Sequence, residues 1–187
     1  MNEFFLNKLE TMLDKDRLSH SIGVCETAKK LAEINNADVK KAEIAGLIHD
    51  CAKCFSDEKL IEIAKKNGIE IDDVSRAQPN LLHGPVGAII AKEEFLVDDE
   101  ETLNSIKYHT TGCENMSLLD KIIYLADYIE PNRDFPNVYD IRRAAYKNID
   151  EGLMLALNNT IEFVIKRGLL IDIKTIKARN SLIIDCI

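Results

Sequence analysis

Apolar residues recur at helical spacing along almost the whole chain, and this periodicity limits the folds that the chain can adopt. The segment from Leu118 to Ile129 is typical, with apolar side chains three or four positions apart. Continuous strand-like apolarity appears only at Leu169–Ile173, and that run is short. The pattern therefore predicts an all-α chain, a compact bundle-like domain of about nine or ten helices, and it excludes an α/β nucleotide-binding fold.

Capping residues indicate where several of these helices begin. Ser56 suits the N-cap of a helix over residues 57–66, because its hydroxyl can accept a hydrogen bond from a free backbone N–H. Ser117 with Asp120 three residues later forms a capping-box pattern. Asp16 is the candidate cap of the helix that carries His20.

The composition bounds the class of protein. The 187 residues contain no linker rich in proline, glycine or serine, so we expect one domain over residues 1–187, with the tail 169–187 packed on it. A net charge of −8 argues against a nucleic-acid polymer as partner. No apolar run approaches the roughly 20 residues that span a bilayer, and no secretory signal is visible. Five cysteines, an odd number, favour a reducing compartment and a cytoplasmic location.

The chain has only four histidines, and each lies in a short segment of small or apolar residues. They are His20, His49, His83 and His109. A lone histidine on a helix is more often a satisfied core residue than a ligand. Four such segments are poorly explained as four accidents, which favours a shared site.

Two aspartates extend this set. Asp50 directly follows His49, and the two side chains are about 100° apart if helical, so both can face one cavity. Asp127 lies inside a very apolar helix, where an unpaired carboxylate is costly to bury. Gly23 lies in a helix interior, where glycine costs roughly 1 kcal/mol against alanine, and it permits a close approach by another backbone or a ligand.

Imidazole and carboxylate together favour a transition metal such as iron, manganese, cobalt, zinc or nickel over magnesium or calcium alone. Six candidate ligands exceed the needs of one tetrahedral ion, which leaves one or two ions open. Such a site suits hydrolysis of a phosphate anhydride. Lys53 and Arg133 are candidate cations for the phosphate charge, although surface solvation is the ordinary role of a single lysine.

The finer motifs resemble the YqeK-type branch of the HD-domain metal-dependent phosphohydrolases. These motifs extend from Arg17 to Arg133, with a weaker match in the tail as far as Asn180. They are Arg17-x-x-His20-x-x-Gly23-Val24, His49-Asp50-x-x-Lys53, His83-Gly84-Pro85-x-Gly87-Ala88, Tyr108-His109-Thr110-Thr111-Gly112 and Ala126-Asp127-x-Ile129-Glu130-Pro131-x-Arg133.

The resemblance implies an HD-domain helical bundle that hydrolyses diadenosine tetraphosphate and related dinucleoside polyphosphates. Cleavage at the centre of the phosphate chain releases two nucleoside diphosphates. The implied cofactor is a divalent transition metal, with iron favoured and manganese, cobalt or magnesium as alternatives. The implied metal ligands are His20, His49, Asp50, His83, His109 and Asp127.

The resemblance also implies which residues contact the substrate. Asp50, Lys53 and Arg133 carry the catalytic roles, with the two cations stabilising charge on the leaving diphosphate. The tail closes over the nucleotide, although Ile173 stands where similar proteins often carry proline. The implied substrate contacts are Asp50, Cys51, Ala52, Lys53, His83, His109, Thr110, Asp127, Arg133, Val138, Leu170, Ile171, Asp172, Ile173, Lys174 and Thr175.

Two alternatives stay open at this point. One is an HD phosphohydrolase that acts on a mononucleotide, an alarmone or a cyclic dinucleotide. The other is a nucleotide sensor that binds without turnover. The oligomeric state is also open, with a homodimer as one alternative.

Overall fold

The computed structural model describes residues 3–184, and over that range the chain forms eleven α-helices, two 3₁₀ helices and no strand. The all-α class is therefore confirmed. The helices are α1 (Glu3–Met12), α2 (Lys15–Ile34), α3 (Val39–Ile48), α4 (Asp57–Lys66), α5 (Asp73–Ala77), α6 (His83–Phe95), α7 (Glu100–Tyr108), α8 (Leu118–Ile129), α9 (Val138–Lys147), α10 (Ile149–Lys166) and α11 (Ile173–Ile184), with 3₁₀ helices at Cys51–Cys54 and Pro79–Leu82.

Most predicted caps form, and one prediction is wrong. Ser117 and Asp120 make the reciprocal capping box, with hydrogen bonds of 3.1 and 2.8 Å. Helix α2 is capped by Asp14 and not by Asp16, because Asp14 has the extended backbone of an N-cap and accepts from Arg17 N at 2.9 Å. Asp16 lies inside the first turn, where its charge favours the helix N-terminus.

The apolar run at Leu169–Ile173 forms no strand. Residues 169–172 connect α10 to α11, and the Leu170 carbonyl accepts a hydrogen bond from the Gln78 side chain at 2.9 Å. An isolated strand would leave its backbone groups unpaired, and residues 3–184 contain no second strand to pair with them.

Helix α8 lies at the centre of the packing. It contacts α2, α3, α7, α9 and α10. Its side chains Ile122, Ile123 and Leu125 are completely buried, as are Leu31 of α2 and Ile48 of α3. This all-round apolarity explains why Asp127, which lies on the same helix, needs charged or polar partners. Within the described range no helix is both long and apolar enough to cross a membrane.

Helix ends, and not helix centres, supply most of the site. The end of α3 packs near α7, and α7 packs against α6, while α2 and α8 pack against α3. The C-terminal ends of α3 and α7 and the first residue of α6 therefore meet beside the second turn of α2 and the last turn of α8. These ends carry His49, His109 and His83.

Candidate metal centre

The four histidines and two aspartates singled out in the sequence come together in one cluster. Neighbouring imidazole rings lie with centroids 4.9–5.2 Å apart, in the order His20, His49, His109, His83. His49, His83 and His109 are buried. Residues as far apart in the chain as His20 and Asp127 thus share one small polar volume inside an apolar core.

Asp50 lies at the centre of the cluster. Its Oδ1 atom is 3.4 Å from His83 Nε2 and 3.3 Å from His109 Nε2. Its Oδ2 atom is 3.5 Å from His49 Nε2 and 3.8 Å from His20 Nε2. One carboxylate therefore faces all four imidazoles, with one oxygen towards each pair.

Asp127 completes the other side of the cluster. Its Oδ1 atom lies 3.0 Å from His20 Nε2 and 3.8 Å from His49 Nε2. The Arg133 guanidinium donates to the same oxygen through Nη2 and to the Asp127 carbonyl through Nε at 2.8 Å. The half-buried carboxylate of α8 is thus paired on two sides.

Backbone carbonyls orient three of the imidazoles. The Nδ1 atoms of His49, His83 and His109 each donate to the carbonyl oxygen three residues earlier, at 2.8 Å for His49 and 2.7 Å for His109. Because a carbonyl oxygen can only accept, the proton lies on Nδ1 and the lone pair lies on Nε2. All three Nε2 lone pairs point into the cluster, as metal-ligating histidines require.

His20 is oriented by a carboxylate instead. Its Nδ1 atom is 3.2 Å from Glu130 Oε1, and Glu130 Oε2 accepts from Asn132 N at 2.7 Å. Glu130 is 1% exposed. Gly23 makes room for it, because a Cβ atom there would lie 2.6 Å from Glu130 Oε2. A close approach at Gly23 is therefore present, but a glutamate side chain makes it, and not the backbone or ligand that the sequence predicted.

A second glycine brings two of the imidazoles together. A Cβ atom on Gly84 would lie 2.6 Å from the Lys107 carbonyl oxygen, so only glycine lets α6 begin this close to the end of α7. The result is a separation of 3.0 Å between His83 Nε2 and His109 Nε2. The Thr110 hydroxyl is also 3.0 Å from His83 Nε2.

Burial and charge set the protonation states. Burial lowers the pKa of His49 to about 4 and that of His83 to about 3, so both imidazoles are neutral near pH 7. Burial raises the pKa of Asp50, but the surrounding groups His49, His109 and Lys53 outweigh burial and hold that pKa well below its ordinary value of 3.8. Ionised carboxylates beside neutral imidazoles are the forms that bind metals.

His20 and Asp127 behave as a coupled pair. Burial opposes protonation of His20, but the hydrogen bond to Asp127 and the charge of that carboxylate outweigh it, so the pKa of His20 is raised above 6.5. Burial likewise raises the pKa of Asp127, yet the hydrogen bond from His20 and the nearby positive charges lower it on balance. Asp127 is therefore ionised.

The donor set fits a divalent metal ion. Within the described residues three groups each hold their ligand atoms within 4.8 Å of one another: His20 with His49 and Asp50, His49 with His109 and Asp127, and Asp50 with His83 and His109. Among residues 3–184, the buried atoms His49 Nε2 and Asp50 Oδ1 find no hydrogen-bond partner. Convergent lone pairs and an unpaired buried oxygen are satisfied together by a cation.

Two cations border the cluster. Lys53 Nζ lies 3.2 Å from Asp50 Oδ2, and the Lys53 side chain is 35% exposed. The Lys53 carbonyl accepts a hydrogen bond from Arg17 Nη1, which ties the 3₁₀ helix to α2. The Arg133 side chain, on Asp127, is 38% exposed. Both groups pair with a candidate ligand and still reach solvent, so an incoming anion can meet them.

Two clefts open beside the cluster and share Thr110. The aromatic cleft has a volume of about 580 Å³ and includes His109, Asp127 and Arg133 in its wall. The tail cleft has a volume of about 440 Å³ and is bordered by Asp172 and Lys174 of the C-terminal segment. Side chains that carry negative and positive charge line both clefts.

The other residues implied by the resemblance lie further from the cluster. Leu170 and Ile173 are exposed on the segment beside the tail cleft, and Asp172 and Thr175 are buried. Seven of these other residues border neither cleft, and of the seven Cys51, Ala52 and Val138 are completely buried. The substrate contacts of all the implied residues, inside and outside the clefts, stay predictions.

Sequence reasoning missed two features of the site. Glu130 precedes a proline at a helix end, a place typical of an exposed residue, and the only signal of its burial was the odd glycine at position 23. The aromatic cleft combines Tyr124 and Tyr128 of α8 with Asn159 of α10. No periodic pattern links these helices across more than thirty residues.

Comparison with known proteins agrees with the motif resemblance. The model of the HD domain matches residues 17–132. A symmetrical bis(5′-nucleosyl)-tetraphosphatase of Halalkalibacterium halodurans is 41% identical over 180 residues, 96% of each chain. A protein of the same name from Bacillus subtilis is 41% identical over 160 residues, 86% of each chain.

A solved structure of an HD superfamily protein also matches the chain. The crystal structure of a predicted HD superfamily hydrolase involved in NAD metabolism from Clostridium acetobutylicum matches with a TM-score of 0.94 and 48% identity. The match covers 97% of this chain and 96% of that chain. The chain belongs to the HD-domain family and, within it, to the group that contains these symmetrical bis(5′-nucleosyl)-tetraphosphatases.

Proposed function

We propose that the chain hydrolyses diadenosine tetraphosphate and related dinucleoside polyphosphates by symmetrical cleavage into two nucleoside diphosphates. The observation that carries the proposal is the convergence of four imidazoles and two carboxylates in a chain that aligns over 96% of its length with a relative of that name. We also propose a single domain and a cytoplasmic location, since one hydrophobic core extends from Phe5 to Leu182 and the cysteine count is odd.

His20, His49, Asp50, His83, His109 and Asp127 would hold the metal. Mixed nitrogen and oxygen donors suit a divalent transition metal, and the family resemblance favours iron among these, with manganese and cobalt as alternatives. When bound, one or two such ions supply Lewis acidity to the phosphoryl oxygens and activate water near neutral pH. The three overlapping ligand groups have room for more than one role among the imidazoles, including contact with substrate through His83 and His109.

The residues at the border of the cluster act on the phosphate chain. Lys53 and Arg133 lie on opposite candidate ligands, Asp50 and Asp127, and each keeps donors free towards solvent. A bidentate guanidinium and an ammonium offset phosphate charge that a protein of net charge −8 otherwise repels. The Thr110 hydroxyl adds a donor at the point where the two clefts meet.

Product analysis tests the proposal. Protein stripped of metal is reloaded separately with ferrous, manganous, cobaltous and magnesium ions and incubated with diadenosine tetraphosphate. We expect ADP as the sole nucleotide product. ATP with AMP would show asymmetrical cleavage and contradict the proposal. Tight ADP binding without turnover under every metal would instead support the sensor alternative.

A variant links the activity to the cluster. Asp50→Ala removes the carboxylate that faces all four imidazoles, so we expect metal binding and turnover to be lost while the helical fold persists. Asp140→Ala removes an exposed carboxylate that pairs only with Arg143 within the described residues, and it serves as the matched control. Retained metal and turnover in Asp50→Ala would refute the assignment.

A further inference from the structure

The aromatic cleft is the larger of the two openings beside the metal centre, and the roles proposed above leave most of it unused. Its volume of about 580 Å³ falls within the range of small-molecule sites. Asp127 and Arg133 lie in its wall, so a molecule bound there is in direct reach of the reacting phosphates. The cleft is therefore continuous with the metal centre.

A fixed aromatic platform forms part of this cleft. The Tyr128 hydroxyl accepts a hydrogen bond from Asn159 Nδ2 at 2.7 Å, and the Phe135 ring packs edge-on against Tyr128 at 5.1 Å and 82°. The Tyr124 ring lies nearly parallel to that of Tyr128, at 6.1 Å and 8°. Because Tyr124 is only 2% exposed, it supports Tyr128 from the core, and the flat apolar surface that suits a nucleobase is that of Tyr128 and Phe135.

Charges lie where a nucleotide would need them. The Arg133 guanidinium bridges Asp127 and the cleft, and Lys166 lines the cleft beside Phe163. The Lys166 ammonium pairs with Glu162 at 3.2 Å and both side chains are exposed, so this pair costs little to rearrange. A phosphate chain that leaves the metal centre on this side meets Arg133 before it meets the rings.

We propose that the aromatic cleft binds the second nucleoside of the dinucleotide, while the first nucleoside lies in the tail cleft. This inference rests on the proposed function. Symmetrical cleavage places the central anhydride at the metal centre, with two phosphates and one nucleoside on each side of it. Two clefts that meet at Thr110 match that requirement, and Asp172 and Lys174 mark the tail cleft. Stacking makes the aromatic cleft tolerant of different bases.

A comparison of two substrates distinguishes an effect on binding of the second nucleoside from an effect on hydrolysis itself. Diadenosine tetraphosphate carries both nucleosides, whereas adenosine 5′-tetraphosphate keeps the phosphate chain and lacks the second nucleoside. In Phe135→Ala and Phe163→Ala we expect KM for the dinucleotide to rise about tenfold, the order of one lost stacking contact. We expect KM for adenosine 5′-tetraphosphate to change less than about twofold, because its single nucleoside can occupy the tail cleft.

Controls keep the result interpretable. Phe163 is 53% exposed, so its truncation opens no core cavity, and its variant reports on the cleft even where Phe135→Ala unfolds. Phe4→Ala truncates a phenylalanine that is 51% exposed and lines neither cleft, and it should leave both KM values unchanged.

Two outcomes overturn the inference. Equal changes in KM for both substrates would show that the cleft does not discriminate the second nucleoside, and unchanged KM for the dinucleotide would show that the cleft takes no part in binding. Failure of the wild-type protein to cleave the dinucleotide is a different result, because it removes the proposed function itself.

Discussion

Glu130 gives the sharpest test of how the site is assembled, because it touches a candidate ligand and no substrate. Its two oxygens have different hydrogen-bond partners: Oε1 lies 3.2 Å from His20 Nδ1, and Oε2 accepts from Asn132 N at 2.7 Å. Glu130→Gln keeps the shape of the side chain but leaves one accepting oxygen for two donors. The variant must therefore lose one hydrogen bond to a charged group, which is about 1.5–3 kcal/mol.

The variant should also bind metal more weakly, because the hydrogen bond to Glu130 fixes the orientation of His20 as a ligand. The expected decrease in metal affinity is roughly 10- to 100-fold, the usual effect of removing an outer partner of a metal-ligating histidine. Competition with a chromophoric chelator measures the affinity of the purified protein for cobalt or manganese. Thermal unfolding of the metal-free protein checks that the fold persists.

A matched substitution controls for the loss of one negative charge. Glu151 is exposed and pairs with Lys147 at 3.8 Å, so Glu151→Gln should leave metal affinity unchanged. An affinity of Glu130→Gln within about twofold of wild type would refute the reasoning, because the buried carboxylate would then have no influence on His20 as a ligand.

Further predictions concern helix packing and pH. Gly84→Ala places a Cβ atom 2.6 Å from a backbone oxygen of α7, so it should lower the free energy of unfolding. Gly87→Ala on the same helix is the control, because its Cβ atom meets the nearest atom at an ordinary 3.4 Å and the change should be neutral or stabilising. Urea denaturation measures the free energy of unfolding of both variants. Metal-free protein should be less stable at pH 5 than at pH 7, because His49 and His83 have pKa values of about 4 and 3 and protonate only on unfolding. Each contributes roughly 1 kcal/mol per pH unit between about pH 6.5 and its folded pKa. Equal free energies of unfolding at pH 5 and pH 7 would contradict this prediction. His83→Gln should make the free energy of unfolding depend less on pH.

Local chemistry explains why most of the fold was predictable. A helix begins where a side chain can satisfy free N–H groups, and the capping box at Ser117 can be recognised from a pattern of four residues. The cap of α2 was misplaced because Asp14 and Asp16 are equally suitable by residue type. Backbone conformation, which decides between them, depends on how α1 packs before the turn.

The site was partly predictable for a different reason. Buried titratable residues need partners, so four histidines in apolar segments and an aspartate in α8 indicated a common location. The role of Glu130 and the aromatic cleft could not be predicted, because each depends on contacts between helices that are distant in the sequence. Only Gly23 indicated such a contact, and it could not say which side chain would make it.

Anomalous diffraction from crystals grown with manganese or iron tests the central claim most directly. We expect an anomalous peak within coordination distance of Asp50 and Asp127 and bordered by the Nε2 atoms of His20 and His49, with a second peak on the side of His83 if two ions bind. A metal-loaded protein whose peaks all lie outside this cluster would contradict the account.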